Sequence, residues 1–247
     1  MFARRLQEKV QNCEVDGYDM PMWGMKKRLD VKLPKYCISI RLGHLFPGDR
    51  LIKYLESGES TCIDFGGLAQ RVEYYGSASF MRTMFPETCA PDAPSFGDDR
   101  LVINVRAAEI LKSFHPDYVP APIAWYQSIV EATGLRPVFM GQLRDDWYSQ
   151  KLRDTFPDAE FLESHGPAMD FETIRNSTNI AIGVSSFSWL AAWLSPKAQV
   201  IHMPLLGIFN PLQRIDVDLM PKRDSRYRFY QFPVCRWRAS QEDIDFV

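Results

Sequence analysis

The sequence lacks a marked excess of either charge, and this argues against a polyanionic partner. Its 29 Lys and Arg residues nearly balance its 31 Asp and Glu residues, for a formal net charge of −2 at pH 7. Domains that bind nucleic acid or anionic membrane surfaces usually carry a clear basic excess. We therefore expect neither nucleic acid nor an anionic membrane as a partner.

The sequence also lacks a membrane-spanning segment and a cysteine framework. No apolar run reaches the ~18 residues that cross a bilayer, and the N-terminal MFARRLQEKVQNCE has no apolar core of the kind found in signal peptides. Five cysteines are scattered singly, without a CxxC pair: Cys13, Cys37, Cys62, Cys89 and Cys235. An odd, dispersed set is a poor disulfide framework, so we expect reduced, mostly buried thiols in a cytoplasmic protein.

A proline-rich segment divides the chain into two regions. PETCAPDAPSFGDD, residues 86–99, holds three prolines and few large apolar side chains, as linkers do. Residues 1–97 are predicted to form a small α/β domain, and residues 98–247 a second domain. The elements expected in the first are a helix from Met1 to about Cys13, strands at Tyr36–Arg41 and Thr61–Phe65, a helix after Leu45, and a loop over VDGYDMPMWGM.

Beyond that segment, short strands and helices alternate. LVINV (Leu101–Val105) is almost wholly apolar, which is typical of a strand buried on both faces of a parallel sheet. IAWYQSIVEATG follows as a helix closed by Gly134. The strand-like segments PVFMGQ, AEFLES, NIAIGV and QVIHMP then alternate with helical ones. This pattern predicts an α/β fold with a Rossmann-like, doubly wound parallel sheet over residues 98–247.

Ligands of such sheets bind at the carboxyl ends of the strands, where three groups of polar residues lie. Arg106 follows LVINV and suits a phosphate or carboxylate, with the alternative that Glu109 is simply its ion-pair partner. Ser185 and Ser186 open a helix whose N-terminus attracts phosphate, with the alternative that they only cap it. Asp170 precedes FETIRNS, either as an N-cap or as an acceptor for a guanine edge. Neither a Walker nor a Rossmann glycine motif accompanies them.

The segments around these positions resemble the fucosyltransferase superfamily, which includes the α1,2-, α1,6- and protein O-fucosyltransferases. The similarity lies in NVRAAE, followed by HPDYVPAPIAWYQSIVEATGLRPVFMGQLRDDW, and in MDFETIRNSTNIAIGVSSFSWLAAWLS. It extends from about Leu101 to about Phe209, and SSFSW with its alanine-rich helix is the most specific part. The bacterial α1,2-fucosyltransferase branch is the most similar in pattern.

The resemblance implies an inverting, GT-B-like glycosyltransferase that needs no metal or cofactor. Its reaction would move fucose from GDP-fucose to a glycan hydroxyl in bacterial polysaccharide biosynthesis. Arg106 would bind the β-phosphate and stabilise the leaving diphosphate, the Ser185–Phe187 turn would hold the pyrophosphate, and Asp170 would face the guanine. The donor-binding positions implied are thus Asn104, Arg106, Asp170, Ser185, Ser186 and Phe187.

Several positions depart from the family pattern. Asn104 stands where the family has His, Ala107 replaces a frequent second Arg, and Glu109 replaces Asp. By its position Glu109 is the first candidate for the general base, ahead of His115 and His44. The family's first strand and glycine-rich loop have no counterpart here, so the N-terminal domain is expected to be incomplete.

The remaining candidates carry weaker signals. Tyr18 and Trp23 are weak candidates for stacking on an acceptor sugar, with core or interface packing as the alternative. Asp216-Val217-Asp218 matches a metal-binding DxD pattern but lies past QVIHMP, so no metal site is expected. The sequence leaves the oligomeric state open. It also leaves open two other functions: a catalytically silent relative that binds a sugar nucleotide or glycan, and a polysaccharide-modifying pyruvyltransferase.

Overall fold

The computed structural model describes residues 1–27, 30, 32–40, 45–66, 68–86 and 90–247. These form two compact units, Met1–Pro86 with Asp216–Leu219, and Glu87–Ile215 with Met220–Val247. The sequence had placed the boundary between residues 97 and 98. The segment before the first strand of the second unit contacts that unit. The Ser95 hydroxyl donates to the Asn176 carbonyl (2.7 Å), and the Thr178 amide donates to the Phe96 carbonyl (3.0 Å).

In its described residues, the first unit contains three α-helices and two pairs of short strands. Its elements are α1 (Phe2–Lys9), β1 (Asp19–Met20), β2 (Met25–Lys26), β3 (Cys37–Ile40), α2 (Gly48–Glu56), β4 (Cys62–Phe65) and α3 (Ala78–Met84). β1 and β2 pair antiparallel around a 3-10 helix, Pro21–Trp23, where the sequence had predicted a loop. Gly24 adopts the left-handed conformation that closes this turn. Glycine is favoured in that conformation, so Gly24 is the residue in the sequence that indicates the turn.

The parallel pairing of β3 with β4 brings two cysteines together. Cys37 lies directly opposite Cys62, with 4.6 Å between the Cα atoms, and the two form a disulfide. The expectation of reduced thiols is therefore wrong for this pair. The register of β3 against β4 places the two cysteines in contact. Because they are 25 residues apart in the sequence, their spacing does not predict this contact. Cys13 and Cys235 are free, and Cys89 lies outside the described residues.

The second unit is built on a six-stranded, wholly parallel sheet. Its strands are β5 (Arg100–Val105), β6 (Arg136–Gly141), β7 (Glu160–Phe161), β8 (Asn179–Ala181), β9 (Val200–Leu205) and β10 (Tyr227–Gln231). Its helices are α4 (Ile123–Thr133), α5 (Trp147–Thr155), α6 (Pro167–Arg175), α7 (Ser186–Leu194) and α8 (Gln241–Phe246). The doubly wound parallel sheet predicted from the sequence is confirmed. Within the described ranges, no helix combines the length and apolar character needed to cross a membrane.

The strand order places a switch point at the centre of the sheet. The order is β10-β9-β8-β5-β6-β7, so the chain builds outward from β5 through β6 and β7, then returns to β8 and builds the other way. This is the order of dinucleotide-binding Rossmann sheets. Connections that leave β5 and β8 in opposite directions open a crevice at their carboxyl ends. The fold therefore directs attention to the residues that follow Val105 and Ala181.

Candidate functional site

Two glycines allow close packing around the end of β5. Gly141, which ends β6, has φ +101, and a Cβ there would lie 2.7 Å from both Asn104 Nδ2 and the Val105 carbonyl oxygen. A Cβ on Gly183, which follows β8, would lie 2.8 Å from the Asn104 carbonyl oxygen and 3.2 Å from Arg106 Cβ. No side chain fits at either position without displacing the tip of β5. Arg106 thus lies against the backbone that leads into α7.

A short polar network holds the Arg106 side chain. Its guanidinium forms an ion pair with Glu109, and the second carboxylate oxygen of Glu109 accepts from Gln142 Nε2 (3.2 Å). Gln142 Oε1 in turn accepts from the Ala107 amide (3.1 Å). The network therefore links the ends of β5 and β6 and fixes the direction of the guanidinium. The ion-pair alternative raised by the sequence is the arrangement that the structure shows.

The guanidinium still has hydrogen-bonding capacity. The Arg106 side chain is 32% exposed, and its Nε is buried without a hydrogen-bond partner among the described residues. A guanidinium has five N–H donors, and the Glu109 ion pair occupies only part of that fork. An anion at the switch point would find donors here that the protein leaves unsatisfied.

The opening of α7 lies three residues beyond Gly183. Ser185 is the N-cap, and its largely buried hydroxyl accepts from the Phe187 amide (3.2 Å). The capping role foreseen as an alternative is therefore real. Ser186 is the first helical residue, and its hydroxyl has no hydrogen-bond partner within the described part of the chain. The other amides of this first turn have no intrahelical acceptors, as at every helix start.

Asp170 lies inside a helix rather than at its cap. α6 begins at Pro167, with Gly166 as the N-cap, so Asp170 is in the first turn, and the predicted helix start at Phe171 is wrong. The Gly166-Pro167 pair is the sequence feature that indicates this helix start, because proline is favoured at the first helical position. The Ser164 hydroxyl donates to Asp170 (2.8 Å). Burial raises the pKa of the Asp170 carboxyl, and the Ser164 hydrogen bond and the nearby His165 oppose that shift.

An aromatic contact joins the second turn of α6 to the first turn of α7. The ring of Phe171 meets that of Phe187 edge to face, with centroids 5.5 Å apart. Asp170 precedes Phe171 on α6, and the described hydrogen bond of its carboxylate is with Ser164. Two described contacts thus involve predicted donor residues, namely Arg106 against Gly183 and Phe187 against Phe171.

The candidates for a histidine base and for the acceptor lie elsewhere. His115 is on the surface, with Nδ1 4.0 Å from a carboxylate oxygen of Asp117, and Asp117 is also paired with Arg214. His44 lies outside the described residues. Tyr18 and Trp23 belong to the β1–β2 region of the first unit.

The DxD segment also belongs to the first unit. The Val72 amide donates to the Asp218 carbonyl (2.7 Å), and Arg71 donates to the Asp216 carbonyl (3.2 Å). Among the described residues, no three His, Cys, Asp or Glu side chains converge as metal ligands.

Three residues that shape this site belong to no recognised sequence motif. Gly141, Gln142 and Gly183 each follow or end a strand. Their spacing matches no phosphate-binding pattern, and only their position at strand ends could have pointed to them.

No family model, curated protein or solved structure matches the chain.

Proposed function

We propose that this chain is an inverting, metal-independent glycosyltransferase that binds a GDP-sugar at the switch point of the second unit. The observation that carries the proposal is the placement of Arg106 at the end of the central strand. It lies against Gly183, just before the α7 N-terminus, where nucleotides bind in sheets of this strand order.

The proposed chemistry assigns the diphosphate to Arg106 and the α7 turn. An acceptor hydroxyl oxygen attacks the anomeric carbon, the bond from that carbon to the β-phosphate oxygen breaks, and the electron pair leaves with GDP. Arg106 and the free amides of α7 stabilise the charge that builds on the diphosphate. The acceptor proton passes to a general base. Glu109 is the candidate, although its two hydrogen-bonded oxygens fit it better for positioning Arg106.

The nucleotide and sugar follow from the remaining residues and the resemblance. Asp170, with a carboxylate whose burial raises its pKa, would accept hydrogen bonds from the guanine N1–H and N2–H groups. The buried amide of Asn104 would contact the donor beside Arg106. We also propose that the sugar is fucose, that the acceptor is a glycan, that the two units have a GT-B arrangement, and that the protein acts in polysaccharide biosynthesis. The Cys37–Cys62 disulfide is the observation that speaks against a reducing compartment.

A second candidate is a relative that binds the nucleotide without turnover. Ala107 occupies the place of a second Arg, and Glu109 already offsets the charge of Arg106. A site with so little net positive charge would add little stabilisation as negative charge builds on the departing diphosphate. It could therefore bind the nucleotide without accelerating transfer.

A thermal-shift screen with GDP, UDP, dTDP and CMP, each with and without EDTA, tests the proposal. Because a ligand that binds only the folded state raises its stability, GDP should raise the melting temperature most, equally with and without the chelator. Incubation with GDP-fucose and candidate glycans then separates transferase from silent binder by release of GDP. No response to any nucleotide would contradict both.

A further inference from the structure

The first unit contains a cavity of about 520 Å³ that lies between α1, the β1–β2 hairpin and α3. Its size is in the range of about 300–1,000 Å³ found for small-molecule sites. The residues that define its chemistry are Gln7, Glu8, Trp23, Phe80 and Thr83. All of its described lining belongs to the first unit.

Two aromatic rings form its walls, and both are held in place. Trp23 packs edge to face against the buried ring of Phe85, with centroids 4.9 Å apart. Phe80 shares a face of α3 with Thr83, three residues later, and its Cδ1 would lie 2.9 Å from a Cβ on Gly76. Both rings are half-buried, and the Phe85 contact orients that of Trp23.

The polar groups at this cavity are mainly hydrogen-bond acceptors. Glu8 is exposed and forms no ion pair within the described residues. The Thr83 hydroxyl donates its proton to the Phe80 carbonyl (2.7 Å), so its lone pairs are left to accept. A ligand that satisfies both must bring donors, such as hydroxyl groups.

The charge of the lining restricts the ligand further. None of the described lining residues is Lys or Arg, and Glu8 is the one carboxylate among them. An anionic ligand such as a nucleotide would be repelled by that charge and would gain no ion pair. The site therefore suits a neutral molecule that has both hydroxyl groups and an apolar face.

We infer that this cavity binds a neutral saccharide. Its C–H face would lie on Trp23 and Phe80, because the negative face of an aromatic ring attracts polarised hydrogens. Its hydroxyl groups would donate to Glu8 and Thr83. A quaternary ammonium ion over Trp23 is the rival occupant, but it would make no use of the Thr83 hydroxyl. If the proposed function holds, this cavity would be the binding site of the acceptor. Saccharide binding to it can be measured without any nucleotide.

Saturation-transfer NMR with methyl glycosides of neutral hexoses tests the inference on the full chain. Trp23→Ala should weaken glycoside binding by at least about tenfold, since aromatic anchors contribute most of the affinity of such sites. Glu8→Gln, an exposed change that preserves the fold, should weaken it as well. Trp147→Ala is the matched control, because Trp147 is also half-buried and meets Tyr148 edge to face. It should bind as the wild type does.

Three results would overturn the inference. They are an absence of saturable glycoside binding, equal binding by a folded Trp23→Ala chain, and saturation by tetramethylammonium that displaces the glycosides. GDP affinity of the wild type is measured separately and tests the nucleotide proposal alone, so the two proposals can fail independently.

Discussion

At the scale of single residues, the central feature is a guanidinium that is already paired. Arg106 is held by Glu109, and Glu109 is held by Gln142. Such an arrangement orients the cation before a ligand arrives, which reduces the cost of ordering it on binding. The same carboxylate lowers the positive potential that an incoming diphosphate meets. In the proposed site, Glu109 would therefore orient Arg106 for the diphosphate and at the same time lower the affinity for it.

Glu109→Gln should separate these two effects. The amide keeps the size of the side chain but removes its charge, so GDP should bind about three- to tenfold more tightly. Isothermal titration calorimetry measures the change. Glu131→Gln, an exposed change on α4, should leave the affinity unaltered. A weaker affinity for Glu109→Gln would show that the ion pair matters more for orienting Arg106 than for offsetting its charge.

Asp170 should make stability depend on pH. Burial raises its pKa in the folded state, so the folded protein favours the protonated carboxyl. Its contribution to the free energy of unfolding is fully present below the unfolded pKa and is lost as pH rises through the folded pKa. Asp170→Asn should therefore be more stable than the wild type at neutral pH and equally stable well below 3.8, the ordinary value for Asp.

Urea unfolding at the two pH values measures this difference. The same variant should lose its preference for GDP over other nucleoside diphosphates, because an amide cannot accept two bonds from guanine. Equal stability of the two proteins at neutral pH, or an unchanged preference for GDP, would contradict the role given to this carboxylate.

At the scale of elements, the glycines beside β5 decide how closely its neighbours approach. Gly183→Ala would place a methyl group 2.8 Å from the Asn104 carbonyl oxygen, and backbone cannot move as a side-chain tip does. We expect a loss of about 1–3 kcal/mol in the free energy of unfolding, together with weaker GDP binding, as β5 and Arg106 shift. Gly97→Ala is the control, because a Cβ there meets nothing within 4 Å. Wild-type affinity in Gly183→Ala would place the diphosphate elsewhere.

The elements that the sequence predicted are those with a strong local signal. LVINV became β5, and the helix closed by Gly134 became α4, because a continuous apolar run and a C-terminal glycine act locally. α3 and the β1–β2 hairpin were missed, since each is short and is supported by packing within the first unit. The Gln142 bridge depends on which strand lies beside β5. The order of strands is a tertiary property that spacing along the chain does not contain.

At the scale of the whole molecule, the two units differ in how they are stabilised. The sheet of the second unit is largely buried, with Leu101, Val102 and Ile103 fully covered. β3 and β4 of the first unit are only partly covered, and a disulfide joins them. Small units with modest cores commonly depend on such a link.

Cys37→Ser should therefore destabilise the first unit selectively. A bridge that closes a loop of this length typically contributes about 2–4 kcal/mol. Hydrogen exchange measured by mass spectrometry should show faster exchange in β3, β4 and α2, and unchanged exchange in β5 and β8. Cys13→Ser should change neither, because Cys13 is a free thiol. Unaltered protection in β3 and β4 would show that the bridge is dispensable there.

The most direct test of the whole account is calorimetric titration of GDP into Arg106→Ala. Removing a cation from a hydrogen-bonded charge pair should weaken GDP binding by at least about thirtyfold. Arg136→Ala, which removes an exposed arginine paired with Asp99 at the start of β6, should bind GDP as the wild type does. The proposed site thus requires weaker GDP binding in the first variant and unchanged GDP binding in the second. Wild-type affinity in a folded Arg106→Ala chain would contradict it.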